Sequence, residues 1–260
     1  MNKFQKEWVY FWTAMMFFTR IPIPFRLPYS TEIMNQSQKY FAWVGLFIGI
    51  INALVFLFSS LLFSVEIAVV LSMIASVLLT GAFHEDGFTD VCDSFGGGYG
   101  REKILTIMKD SRVGAYGTIG IILLLLLKFL TLNHIAHITT SLACFTIIAG
   151  HSVSRYIAST MIYTHQYVTD IDVSKSKPMA QSPLPLNTLV IGLGAILLPF
   201  IIFEEWKYLP VIPFAYLGRI YLAWYFQKHI GGYTGDCLGA IQQVTEVLWY
   251  LGIILVWNFI

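Results

Sequence analysis

The sequence predicts an all-α fold, a polytopic helical bundle embedded in a membrane, with about seven transmembrane helices and an N-terminal interfacial helix. Three observations carry this. Hydrophobic residues make up 57% of the chain and charged residues only 12%, where a soluble domain is about 45–50% apolar; mean hydropathy is +0.68. Apolar runs recur that reach the roughly 20 residues needed to cross a bilayer. Most charges are gathered into the connections between those runs. A single membrane domain, 1–260, accounts for the whole. The net charge of +1 gives no reason to expect nucleic-acid binding.

Residues 1–39 form a cytoplasmic or interfacial N-terminal segment with Lys3, Lys6, Arg20, Arg26 and Lys39. The aromatic stretch 8–18 is too short to span and is expected to lie in the interface or re-enter shallowly. It has no small-residue cleavage site, so no cleavable signal peptide is expected. Ile21-Pro22-Ile23-Pro24 breaks the helix, because proline lacks a donor and restricts the residue before it.

Spans are then expected at about 40–64, 67–83, 113–132, 139–163, 187–203, 208–226 and 244–260. Glu66 marks the first turn. The long polar segment 84–112 follows the second span, with a short surface helix at 101–108. A turn is expected at 133–138, where His134 and His137 read as structural or interfacial. The fourth span leads to a polar loop with Asp170, Asp172, Lys175, Lys177, Pro178, Pro183 and Pro185. A glycine-rich loop, 228–243, precedes the last span. Lys128, alone in an apolar run, reads as a snorkelling or helix-pairing residue.

With the N-terminus in the cytoplasm, twelve of the sixteen basic residues fall on that side and only Lys207 on the other, as the positive-inside rule asks. Every acid-rich or glycine-rich loop then also faces the cytoplasm. Cys92, Cys144 and Cys237 share no metal-ligand spacing; Cys92 and Cys237, on the cytoplasmic side, are expected to be reduced.

The chemistry is concentrated in 84–112. Six acids and four basic residues fall within these 29 positions. Asp86, Asp90 and Asp93 stand at i, i+4 and i+7, so on a helix their carboxylates share one face. Like charges on one stripe repel. A divalent cation reverses that interaction, and hard carboxylate oxygens suit Mg²⁺, Mn²⁺ or Ca²⁺. Glycines 96–98 and Gly100 end the helix and let backbone approach a ligand. Asp110, in Lys109-Asp110-Ser111-Arg112, lies just before the next span. The expected metal set is therefore Asp86, Asp90, Asp93 and Asp110, holding one or two Mg²⁺ ions on a diphosphate, with Lys109 and Arg112 on phosphate. The plainer readings are a solvated acidic turn and membrane-flanking cations.

Arg155, with His151 one turn before it, and Arg219 lie inside spans. A charge there should face the bundle interior or a wet cavity, where a structural carbonyl or carboxylate partner is the alternative to substrate. The loop Gly231-Gly232-Tyr233-Thr234-Gly235-Asp236 has the composition to wrap a phosphate or sugar, although such strings are common in turns.

The string GAFHEDGFTDVCDSFGGG followed by IMKDSRVGAYGTIG resembles the membrane-embedded cobalamin synthases (adenosylcobinamide-GDP ribazoletransferases). So do FFTRIPIP at 17–24, YFAWVGLFIG at 40–49, the His151/Arg155 pair and GGYTGDCLGA at 231–240. The resemblance runs in order from Phe17 to about Glu246; the paired HxDGxxDxxD and KDSRxGxYG patterns are its specific part. Ser94 stands where a glycine is frequent.

The resemblance implies an enzyme of a bacterial or archaeal cytoplasmic membrane. It joins adenosylcobinamide-GDP to α-ribazole or its 5′-phosphate, releases GMP and needs Mg²⁺. The general base is then Asp93 or Asp110, with Asp236 a further candidate if its loop closes. Substrate-binding candidates are His84, Lys109, Ser111, Arg112, His151, Arg155, Arg219 and Thr234. The oligomeric state is open, a homo-oligomer included. Two other readings compete. A CDP-alcohol phosphotransferase expects a DGxxAR string, whereas Gly87 here is followed by Phe-Thr-Asp-Val. A cation transporter expects acids spread along a path rather than gathered at one interface.

Overall fold

The computed structural model describes residues 2–168 and 185–259; Asp170, Asp172, Lys175, Lys177, Pro178 and Pro183 lie outside the described residues. The described chain is helical throughout: α1 (Lys3–Phe18), α2 (Thr31–Ser37), α3 (Phe41–Ser60), α4 (Val65–Thr80), α5 (Phe83–Gly97), α6 (Arg101–Met108), α7 (Ala115–Ile138), α8 (Thr140–Thr164), α9 (Leu189–Phe203), α10 (Val211–Ile230) and α11 (Gly235–Phe259).

Seven of these, α3, α4 and α7 to α11, stand where spans were expected. By length and apolarity three segments qualify, Thr31–Ser60, Ala115–Ile138 and Gly235–Phe259, or four if the bent pair α4–α5 counts as one. The rest miss for physical reasons. Helix α9 has only 15 residues. Helix α8 is the central helix, packed by α3, α7, α9, α10 and α11 and buried along nearly its whole length. A helix wrapped in protein has no need to match lipid, so it can carry His151 and Arg155.

Several boundaries differ from the sequence reading. The expected turn at 133–138 is the last stretch of α7. The glycine-rich loop is short, because α11 begins at Gly235. Ser30 caps α2 through the N–H of Ile33, and a 3-10 turn joins α2 to α3, so the first span starts inside the N-terminal segment. Helix α1 packs on α2 and α3. It is tied there by Glu7, which takes the Lys39 ammonium at 2.7 Å and the Tyr40 hydroxyl at 2.8 Å.

The core gathers around Trp249, Tyr250, Phe145, Phe200 and Tyr208, all fully buried. At one end of the bundle lie the turns between α3 and α4, α7 and α8, and α9 and α10. At the other end α5, α6, the starts of α7 and α11 and the ends of α8 and α10 come together: Tyr167 bridges to Tyr233, and Phe95 packs on Phe226. Among the described residues, the segments 84–112, 165–168 and 231–234, which the charge count assigned to one side, meet at this end.

Candidate active site

The site begins at a break. Helix α4 ends at Gly81 with φ 66°, and Ala82 follows with φ 58°, a conformation that costs a residue with a Cβ. The chain turns there by 88°. Arg20, from the FFTRIPIP stretch, braces the bend: its N–H donates to the Leu79 carbonyl at 2.7 Å, and a side chain at Gly81 would strike its guanidinium.

Helix α5 then presents two faces. Asp86 is exposed and Asp90 half-buried, while His84 and Glu85 are buried on the opposite side. Helix α11 crosses α5 at Gly87, where an added Cβ would lie only 3.0 Å from Cα of Asp236. This contact brings Asp236 to the acidic face. Asp90 stands in the field of Asp236, Asp86 and Asp93, and Asp236 in that of Asp86. Among the described residues neither Asp86 nor Asp90 has a cation beside it.

The other two expected ligands are engaged elsewhere. Buried Asp93 caps α7, accepting the N–H groups of Gly114 at 2.6 Å and Gly117 at 2.7 Å. Asp110 lies at the surface, gripped on both oxygens by the Arg112 guanidinium. That grip holds its carboxyl down at about 2. The aspartates placed together are thus Asp86, Asp90 and Asp236, with Asp93 beneath. Among the described residues no three His, Cys, Asp or Glu side chains form a ready-made metal cage.

The Lys109-Asp110-Ser111-Arg112 turn is bracketed by two contacts with the site. Just before it, Met108 Sδ accepts the Thr234 hydroxyl at 3.1 Å; just after it, Gly114 binds Asp93. Lys109, Ser111 and Arg112 are exposed there. Thr234 is buried and caps α11, accepting the Cys237 N–H at 3.3 Å.

The remaining candidates are in the interior. Arg155 donates to the carbonyl and to Nδ1 of His151, both at 3.0 Å. Arginine can only donate, so the His151 ring proton sits on Nε2 and is accepted by Asn52, 2.8 Å away, with its side-chain amide turned to present the oxygen. His151 is thereby committed on both nitrogens. Arg219 donates to the Thr160 carbonyl and the Thr164 hydroxyl, closing the end of α8. His84 stacks on Phe41, its ring nitrogens without hydrogen-bond partners among the described residues.

Two residues outside the acidic face have partners that the sequence did not announce. Lys128 is not alone: it is buried and pairs with Glu246 at 2.9 Å. His137 also has acidic company, Glu66 at 3.4 Å across the far turn. The three cysteines are free thiols.

Residues 10–254 match the family model described as cobalamin-5-phosphate synthase. The chain is 44% identical to the adenosylcobinamide-GDP ribazoletransferase of Shewanella amazonensis, over 99% of each chain. It is 45% identical to that of Vibrio cholerae, over 93% of this chain and 91% of the relative. It is 43% identical to that of Leptospira interrogans over the full length of both. No solved structure matches the chain.

Proposed function

The chain belongs to the cobalamin-5-phosphate synthase family, and from that membership we propose that it works as an Mg²⁺-dependent adenosylcobinamide-GDP ribazoletransferase with its active site on the acidic face of α5. The reaction joins adenosylcobinamide-GDP to α-ribazole or its 5′-phosphate and releases GMP. The observation that supports this siting is the convergence of Asp86, Asp90 and Asp236 beside a turn bearing Lys109 and Arg112. Acids gathered on one face, next to a turn that carries cations, suit a metal-bound diphosphate.

The donor set fits Mg²⁺. Its ligands would be hard carboxylate oxygens, and this ion binds through one or two carboxylates together with substrate phosphates, keeping several waters. A closed protein cage is therefore not required. Asp86 and Asp90 would hold the ion, which supplies charge neutralisation on the diphosphate oxygens.

The hydroxyl oxygen of the ribazole forms a bond to the β-phosphorus that carries cobinamide, and the P–O bond from that phosphorus to GMP breaks. The hydroxyl proton passes to a carboxylate within hydrogen-bond reach. Asp93 has both oxygens occupied by amides. Asp110, held at about 2 by Arg112, is a weak base. Asp236, which has no ion-pair partner among the described residues, is the base in this account. Lys109 and Arg112 stabilise charge on the leaving phosphate. The clustering of these loops at one end, with the basic residues of the connections, supports a cytoplasmic-facing site in the inner membrane.

Protein in liposomes, given adenosylcobinamide-GDP and α-ribazole 5′-phosphate, should form GMP and cobalamin phosphate with Mg²⁺ and stop when EDTA is added. No GMP from folded protein would overturn the activity. GMP formation indifferent to EDTA would overturn the metal.

A further inference from the structure

Behind the acidic face, a line of hydrogen bonds runs from α5 into the bundle. Glu85 is 8% exposed, a place where a carboxylate is costly unless paired. It accepts the Gln243 side-chain amide at 2.9 Å. The Gln243 oxygen in turn accepts the Lys128 ammonium at 3.0 Å. Lys128 also pairs with Glu246 at 2.9 Å, and Glu246 is pinned by the Tyr250 hydroxyl at 2.6 Å. Three helices, α5, α7 and α11, are thus tied through buried side chains that cannot exchange partners cheaply.

The position of this tie is informative. Gln243 follows Asp236 on α11 by two helical turns, on the same stripe, and Glu85 adjoins Asp86. The stripe of α11 that lays Asp236 on the acidic face of α5 therefore also lays Gln243 on the buried side of α5. The second oxygen of Glu85 is buried without a partner among the described residues. Glu85 lines a cavity of about 20 Å³ together with Asn52, Lys128, His151 and Glu246, room for one or two waters.

We propose that Glu85 is a positioning residue: its bond to Gln243, held from below by Lys128 and Glu246, keeps α5 in register with α11 so that Asp86, Asp90 and Asp236 converge on the diphosphate. A slip of one residue along a helix is about 1.5 Å, and a misplacement of about 1 Å costs on the order of 10²-fold in rate. The inference rests on the transferase reading of that face.

The test compares wild type, Glu85→Gln, Glu85→Leu and the double variant Glu85→Leu/Gln243→Leu in liposomes. Glu85→Gln still offers an oxygen to Gln243 and should keep kcat within about threefold. Glu85→Leu should lower kcat by about tenfold or more with KM little changed. The double variant removes both partners of that bond but also takes one acceptor from Lys128, which keeps Glu246; its kcat should stay as low as that of Glu85→Leu. Wild-type kcat in Glu85→Leu, equal losses in Glu85→Leu and Glu85→Gln, or a rise in KM alone would overturn the proposal.

A readout independent of turnover separates this from failure of the transferase reading. Spin labels at Tyr99, just beyond α5, and Phe259, at the far end of α11, are both on exposed positions. Their distance distribution should shift or broaden in Glu85→Leu and not in Glu85→Gln. An unchanged distribution overturns the register role whatever the enzyme does; inactive wild type with a shifted distribution overturns the transferase reading alone.

Discussion

Asp93 accepts the backbone N–H of Gly117 at 2.7 Å, while its second oxygen takes that of Gly114 at 2.6 Å. One acidic residue of α5 thus builds the start of α7 and fixes the turn that carries Lys109 and Arg112. Asp93→Ala removes a cap and strands two amides. It should cost about 1–2 kcal/mol of stability, seen as a lower Tm in detergent, together with lost activity.

Asp86 and Asp90 should behave in the opposite way. They have no cation partner among the described residues and stand among like charges, so Asp86→Asn or Asp90→Asn relieves repulsion when metal is absent. Thermal melts in EDTA should show a Tm equal to wild type or slightly higher. Activity should fall about 10²–10³-fold, as expected when several kcal/mol of charge stabilisation are lost. A large drop in Tm would mark these carboxylates as structural instead.

The Lys128–Glu246 pair predicts a strongly non-additive cycle. Lys128→Met leaves Glu246 buried without its cation and should destabilise by about 3–5 kcal/mol. Adding Glu246→Leu should recover most of that loss. Denaturant or thermal unfolding in detergent measures both; a double variant no more stable than the single one would contradict the ion-pair account.

Gly87→Ala tests the crossing of α5 and α11. Its Cβ would sit 3.0 Å from Cα and 3.1 Å from the carbonyl oxygen of Asp236. Backbone cannot step aside as a side-chain tip can, so the start of α11 must move. A cost of about 1–3 kcal/mol is expected, with a fall in kcat larger than that of an alanine placed at exposed Gly235, where nothing lies within 4 Å.

Much of this architecture was legible in the chain. The i, i+4, i+7 aspartates are on a helix, and the expected spans coincide with helices because apolar runs bounded by polar turns leave few alternatives. The internal partners were not legible. Lys128 and Gln243 are 115 residues apart, and nothing local to Lys128 announces a carboxylate across the bundle. Asp93 looks like Asp90 in sequence; only the approach of Gly114 and Gly117 makes one a cap and leaves the other open. Asp110 looked like a ligand because it stands just before the next span, where a second helix could offer a carboxylate, yet its cationic neighbour Arg112 claims it. The start of α11 did carry a signal: Thr234 before Gly235-Asp236 is an N-cap followed by an acid in the first turn. The left-handed pair Gly81 and Ala82 was half visible, since glycine marks helix ends whereas alanine does not.

The central claim is that the acidic face joining α5 to the start of α11 holds a divalent ion together with the diphosphate. Mn²⁺ binding followed by electron paramagnetic resonance tests it most directly, with wild type, Asp86→Asn and Asp110→Asn compared with and without adenosylcobinamide-GDP. The account predicts that wild type and Asp110→Asn bind Mn²⁺ tightly only when the diphosphate substrate is present, and that Asp86→Asn does not. Equal binding by Asp86→Asn, or binding lost in Asp110→Asn alone, would contradict it.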